Sequence, residues 1–252
     1  MINIDRIDIE ENSIKRLDAE LLAILLQDKN SGRNIIWATN DYEQKGYGFY
    51  KNDEICINSI TGINGDLIKP RTKKTKQEQQ LRIKYKAEVF TPAWVCNKQN
   101  NLIDNAWFGK KNVFNIEHDK TWSPTKKKID FPTADGKSWE DYILVNRLEI
   151  SCGEAPYLVS RYDTVSGKAI AIKNRIGLLD RKLRIVSENT ESESDWYNWA
   201  KKAIQSVYGY DWQGDNVLLA RENLLITFID FYVDKFGVYP IKEYLREIAE
   251  IL

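Results

Sequence analysis

The chain has 252 residues, with 37 Lys plus Arg against 37 Asp plus Glu, 42% apolar residues and 12% aromatic residues. That apolar content is enough to bury a sizeable core, which excludes wholesale disorder. No stretch reaches the roughly 18 to 20 uncharged apolar residues of a membrane helix, and the opening MINIDRIDIEEN lacks the apolar centre of a signal peptide, so a soluble cytoplasmic protein with no membrane contact is expected.

In chain order, SIKRLDAELLAILLQ predicts one amphipathic helix. Its apolar residues Ile14, Leu17, Leu21, Leu22, Leu25 and Leu26 recur at three- and four-residue steps, with Asn12 or Ser13 as cap and Gly32 beyond the far end. NIIWAT and EICINSI read as short strands between the turn signals NSG, KGYG and NGD. Residues 1 to 84 are expected to form a mixed α/β accessory region, its last part carrying the cations Lys69, Arg71, Lys73, Lys74, Lys76, Arg82 and Lys84. Lys86 continues that run, and Lys126 to Lys128 make a second cluster after Trp122. Such runs are solvated linkers or helix faces in most proteins, with contact to a phosphate backbone as the functional alternative.

The second half alternates. NRLEIS reads as a strand ending in the small-residue turn SCGEAP. SESDWYNWAKKAIQ reads as a helix capped by Ser192 or Ser194, SVYGYDW as a second strand, and DNVLLARENLLITFIDFYVDKFG as a long buried helix stopped by Gly237. PIKEYLREIAEIL closes the chain as an amphipathic helix. Strand and helix in alternation predict a parallel βαβ unit, whose ligands bind beyond the carboxyl ends of the strands. Those ends are Glu149-Ile150-Ser151-Cys152-Gly153 and Tyr210-Asp211-Trp212. A carboxylate at a strand end can hold the two hydroxyls of a ribose, and the flat Trp212 beside it can pack on an adenine ring.

Cys56, Cys96 and Cys152 are few and far apart, as free thiols are, and His118 is the one histidine, in a polar stretch without a nucleophile motif. Ser-His-Asp chemistry and zinc hydrolysis are therefore disfavoured. A nuclease using carboxylates and magnesium is disfavoured too, because no strand-borne Asp precedes a Glu-x-Lys array.

Three segments in one order carry a resemblance. Ala87-Glu88-Val89-Phe90-Thr91-Pro92-Ala93-Trp94-Val95 resembles the Phe-Thr-Pro-x-x-Val element of N6-adenine DNA methyltransferases of the γ arrangement. LEISCGEAPYL is similar to their first motif, and VYGYDWQGDNVLLARENLL looks like their second. More broadly the chain resembles methylase (M) subunits of restriction-modification systems, over residues 85 to 252. The resemblance implies a partial Rossmann-like fold that binds S-adenosylmethionine and acts on DNA, with other restriction-modification subunits as partners. It implies that Thr91, with Pro92 shaping the loop, meets the methionine end of the cofactor, and that Glu149 fixes the loop or the amino group. Ser151, Cys152 and Gly153 would line the cofactor by backbone contact, Asp211 would hold the ribose and Trp212 would stack near the adenine.

The spacing departs from the family. Gly153 and Asp211 lie 58 residues apart, against the roughly 20 between a dinucleotide loop and its ribose acid, so residues about 163 to 193 are expected to be an insertion with a helix through GLLDRKLRIV. The sequence has no Pro-Pro pair, where the family places an Asn-Pro-Pro-Tyr motif that engages the flipped adenine. The chain is therefore expected to be the N-terminal part of the methyltransferase domain, either a fragment or a naturally short protein, and inactive alone. The competing expectation is a non-catalytic DNA-binding or assembly subunit using basic stretches 69 to 86 and 126 to 128.

Overall fold

A computed structural model describes residue 8 and residues 10–252. The predicted first helix is two. Helix α1 (Glu11–Leu17) ends where Asp18 adopts an extended backbone, and α2 (Ala19–Leu26) begins there because the Asp18 carboxylate accepts the Glu20 N–H. The same carboxylate holds Arg246 at 2.7 Å, so the break anchors this region to the last helix. The strands expected at NIIWAT and EICINSI are corrected. Ile36 and Glu54 form only an isolated antiparallel bridge, and the second segment turns into the short helix α3 (Ile57–Ile60). Here Ser59 donates to the Cys56 carbonyl and accepts the Cys56 N–H, closing a turn that competes with extension.

Helix α4 (Lys76–Lys86) starts at a reciprocal Thr75–Glu78 cap and ends at Ala87 in the left-handed region. The boundary expected between residues 84 and 85 thus falls inside a helix. Helix α5 (Ala93–Phe108) follows Pro92 and buries a polar face of Asn97, Asn100, Asn101 and Asp104. Strands β1 (Asn115–His118) and β2 (Thr121–Pro124) form an antiparallel hairpin, and α6 (Trp139–Leu144) leads into β3 (Arg147–Ile150).

The return from β3 runs through α7 (Leu178–Asn189) and α8 (Glu193–Gln205) to β4 (Val207–Tyr210), which pairs parallel with β3 from Arg147↔Val207 to Ile150↔Tyr210. The expected βαβ unit and the helix within the insertion are both present. Helix α9 (Gly214–Phe236) is the central pillar. Leu225, Phe228 and Ile229 are fully buried, Gly237 ends the helix at φ 69°, and α10 (Lys242–Ile251) packs against it and α2. Among the described residues no helix is long and apolar enough to cross a membrane. The fold is mixed α/β, and one buried cluster runs from Ile14 to Ala249, so the N-terminal helices share the core of the βαβ unit.

Polar locks hold this core. Lys182, fully buried, donates to the carbonyls of Ile143 and Val145 and to Ser206, fixing the entrances to both parallel strands. Arg82 of α4 reaches Asp41 at 3.2 Å, Glu88 at 2.6 Å and Asp215 of α9 at 2.9 Å, while Tyr42 donates to Asp215 at 2.7 Å. Burial opposes the Asp215 charge and Arg82 overcomes it, holding the carboxyl below its usual range. Removing one partner leaves buried carboxylates uncompensated. Arg82→Met is expected to cost about 3–5 kcal/mol in urea unfolding, and a loss below about 1 kcal/mol would refute the lock.

Candidate functional site

Strand β3 ends in a loop that side chains of ordinary handedness rarely follow. Ser151, Gly153 and Ala155 have φ of 54°, 53° and 61°. Alternate residues in the left-handed region curl the chain into a tight crown over the end of the parallel pair. Three bonds hold it there: Cys152 N–H to the Tyr210 carbonyl at 2.8 Å, Ala155 N–H to the Cys152 carbonyl at 2.7 Å, and Gly153 N–H to Asp211 Oδ2 at 2.8 Å. Gly153 has a second reason to lack a side chain, because a Cβ there would lie 3.3 Å from the Phe90 ring. Phe90, remote in sequence, therefore lies directly on the loop.

Asp211 is positioned by its own neighbours. Its Oδ1 accepts the Gln213 N–H at 3.0 Å and, more weakly, the Asn216 amide at 3.4 Å. With Gly153, three of a carboxylate's roughly four lone-pair sites are filled, the Asn216 one weakly, which leaves room for about one ligand hydroxyl, or two if the Asn216 amide gives way. Trp212 beside it is 82% exposed. That exposure is unusual for an indole and leaves one aromatic face available at the cleft mouth.

Glu149 sits on the floor, accepting the N–H groups of Tyr157 at 3.4 Å and Leu158 at 3.2 Å. It ties the loop's return to the strand that launches it. Burial pushes its carboxyl up to about 8, against the pull of the two amides, with Asp211 adding to the rise. Cys152 is buried with its Sγ 3.1 Å from where a Cβ of Gly209 would stand, so the thiol occupies the space that glycine leaves. Burial and Glu149 raise the thiol far above its ordinary range, which makes it a packing group and a poor nucleophile. Cys96, at the start of α5, is pushed up to about 12 in the same way, and the three cysteines are free.

Thr91, Glu149, Ser151, Cys152, Gly153, Asp211 and Trp212 all line one cleft of about 250 Å³. The eighth predicted residue, Pro92, does not line it; it precedes α5 as the cap residue, and Asp163 accepts the Ala93 N–H at 2.6 Å to hold that helix start. Residue-level reasoning missed Glu88, Gln213 and Asn216, which also line the cleft. Glu88 accepts from both Arg82 and Gln213, so the buried ion-pair cluster reaches the cleft wall. Nothing in the local sequence marks them, since each acts through a partner more than five residues away or through the turn after β4.

Chemically the cleft presents carboxylate acceptors and aromatic surface, since the amides of Cys152, Gly153 and Ala155 are used within the loop. Among the described residues no group of three His, Cys, Asp or Glu side chains could hold a metal ion. His118 lies on exposed β1 against Ser123 at 3.1 Å, apart from the residues that line the cleft. No protein-family model, curated protein or solved structure matches the chain.

Two outcomes follow from this geometry. Gly153→Ala is expected to destabilise the protein by about 1–2 kcal/mol, from the left-handed backbone and the Phe90 contact, read as a lower midpoint in thermal unfolding. The second concerns pH. The folded pKa of Glu149, about 8, lies above the ordinary 4.5, so between these values the folded state holds a proton that the unfolded state has released. Its contribution is full below about pH 4.5 and is lost as pH rises toward 8, by up to about 1.4 kcal/mol per unit. Glu149→Gln is expected to flatten that part of the stability profile, and an unchanged slope would contradict the assignment.

Proposed function

We propose that this chain carries the cofactor-binding part of an S-adenosylmethionine-dependent methyltransferase with a partial Rossmann-like fold. Its target would be adenine N6 in DNA, and its setting the methylase subunit of a restriction-modification system, with the other subunits as partners. The observation that supports this most is the Gly153–Asp211 bond, which joins the ends of two parallel strands and opens the cleft against Phe90 and Thr91. Ligands of open parallel sheets bind at such ends.

The donor set suits the cofactor's parts. Asp211 would take the ribose hydroxyls, Trp212 the adenine face, and the backbone of Ser151, Cys152 and Gly153 the chain between them. Thr91 would meet the methionine end and Glu149 its ammonium group. When bound, the cofactor supplies an electrophilic methyl group. The residues of this chain orient it, and the raised Cys152 pKa keeps the nearest thiol protonated and out of the transfer. Catalysis of this kind rests on positioning and needs no covalent intermediate.

Glu149 gives the reading a specific signature. A carboxyl that holds its proton at neutral pH loses it when an ammonium group arrives, because the cation favours the charged form. Calorimetry with S-adenosylmethionine at pH 7, repeated in buffers of different ionisation enthalpy, is expected to show binding with proton release. Asp211→Ala should weaken binding by at least about tenfold, equivalent to ~1.4 kcal/mol, and Glu149→Gln should abolish the proton release. Absence of binding, or binding indifferent to Asp211→Ala, would sink the proposal.

A further inference from the structure

The two basic stretches fare differently in three dimensions. In residues 69 to 86 most of the positive charge is enclosed or faces a carboxylate or ring: Lys69 and Lys73 lie in the field of Asp8, Lys84 stands over the Tyr85 ring, and Lys76 is exposed with no such neighbour among the described residues. Arg82 is buried among three carboxylates, Lys86 pairs with Asp41 at 3.6 Å, Lys74 is only 8% exposed, and Arg71 stands over the Phe90 ring. Lys126, Lys127 and Lys128 are all exposed, and none of their ammonium groups has a partner among the described residues.

These lysines sit on a segment held at defined points. Arg184 of α7 donates to the carbonyls of Thr125 at 2.9 Å and Lys127 at 3.1 Å, and Glu188 accepts the Ile129 N–H at 2.8 Å. With its backbone clamped to α7, the segment directs its ammonium groups outward. Just upstream, Trp122 Nε1 donates to the Asn174 carbonyl at 2.7 Å, which draws the 3-10 turn Ile172–Asn174 to β2 and brings Lys173 to the same rim. Lys173 is exposed and unpartnered as well.

Between hairpin, turn, α7 and α9 lies a cleft of about 840 Å³. Arg175 lines it with a side chain that is 7% exposed. One arm pairs with Asp230, while Nη1 has no hydrogen-bond partner. Three acids also line the cleft. Glu188 is bound by Arg184, Asp180 accepts from Ser160 and Gly177 through one oxygen and leaves the other unpaired, and Asp234 alone is exposed. On the lining, Lys126, Lys173 and an unsatisfied guanidinium nitrogen therefore outweigh one uncommitted exposed carboxylate, and Lys127 and Lys128 add charge beside it.

We infer that this cleft, lined by Lys126 and Lys173 and continued by Lys127 and Lys128 next in the chain, is where the chain grips the phosphodiester backbone of DNA, and that the α4 stretch is not. The inference rests on the DNA substrate proposed above but on none of the residues of the cofactor cleft. Neutralising n phosphate contacts removes about 0.9n from the logarithmic salt dependence of duplex binding. The test uses fluorescence anisotropy with a labelled duplex about two helical turns long, between about 50 and 200 mM salt.

Lys126→Gln, Lys127→Gln, Lys128→Gln and Lys173→Gln combined should weaken duplex binding by at least about tenfold at the lower salt and reduce the slope by about three to four. The matched quadruple Lys69→Gln, Lys73→Gln, Lys76→Gln and Lys84→Gln should change affinity by less than about twofold on the same reasoning. All eight substitutions are of side chains at or near the surface; thermal unfolding of both variants checks the fold, and S-adenosylmethionine calorimetry checks the cofactor site separately. Equal losses in the two variants, an unaffected rim variant, or no duplex binding by the parent chain would overturn the inference. Failure of cofactor binding with the rim dependence intact would sink only the methyltransferase reading.

Discussion

Arg82 and Asp215 set the constraint that the cleft depends on. A guanidinium and a carboxylate meeting at 2.9 Å in the interior demand that every remaining donor and acceptor around them be satisfied, since stray buried charge is far more costly than an unmade surface contact. The neighbours answer that demand. Asp41 and Tyr42 come from the N-terminal region, Glu88 from the segment after α4 and Asn216 from α9, so three stretches of the chain converge on one ion pair. Glu88 then carries the constraint to Gln213, in the turn that also shapes Asp211.

A second constraint operates at the strand ends. The two parallel strands are only four residues each, too short to define a ligand site by themselves. The definition comes from the loop, where left-handed residues allow Gly153 to donate to Asp211 and Cys152 to fill the space above Gly209. Glu149 closes the arrangement from below at an electrostatic cost, visible in its raised pKa.

Legibility followed the kind of force that shapes each element. Helices α7, α8, α9 and α10 were readable because apolar residues recur on one face and because Ser192 and Gly237 mark two of the boundaries. Helix α5 carries no such signal. It buries Asn97, Asn101 and Asp104 against Asn115 and Arg181, so its inner face is polar and its periodicity is hidden. The break at Asp18 was equally hidden, because the apolar pattern continues across it and only the capping bond and the Arg246 contact reveal it. The strand expected near residue 55 failed for the opposite reason: β-branched residues are present, but local side-chain bonds at Ser59 and Thr61 favour a turn, which leaves the segment near residue 35 a single bridge to pair with.

By itself the sequence determined the order of the elements from β3 onward, the parallel βαβ unit and the chemical character of the two strand-end loops, since periodicity, caps and turn residues act over a few positions. Tertiary structure decided which groups remain free to act. Identical lysine charges at positions 74 and 126 look alike in sequence, yet one is enclosed and the other faces solvent. Whether a charge is available depends on what chain folding brings beside it, and those partners lie as far away as Asp41 from Arg82 or Arg184 from the Lys127 backbone.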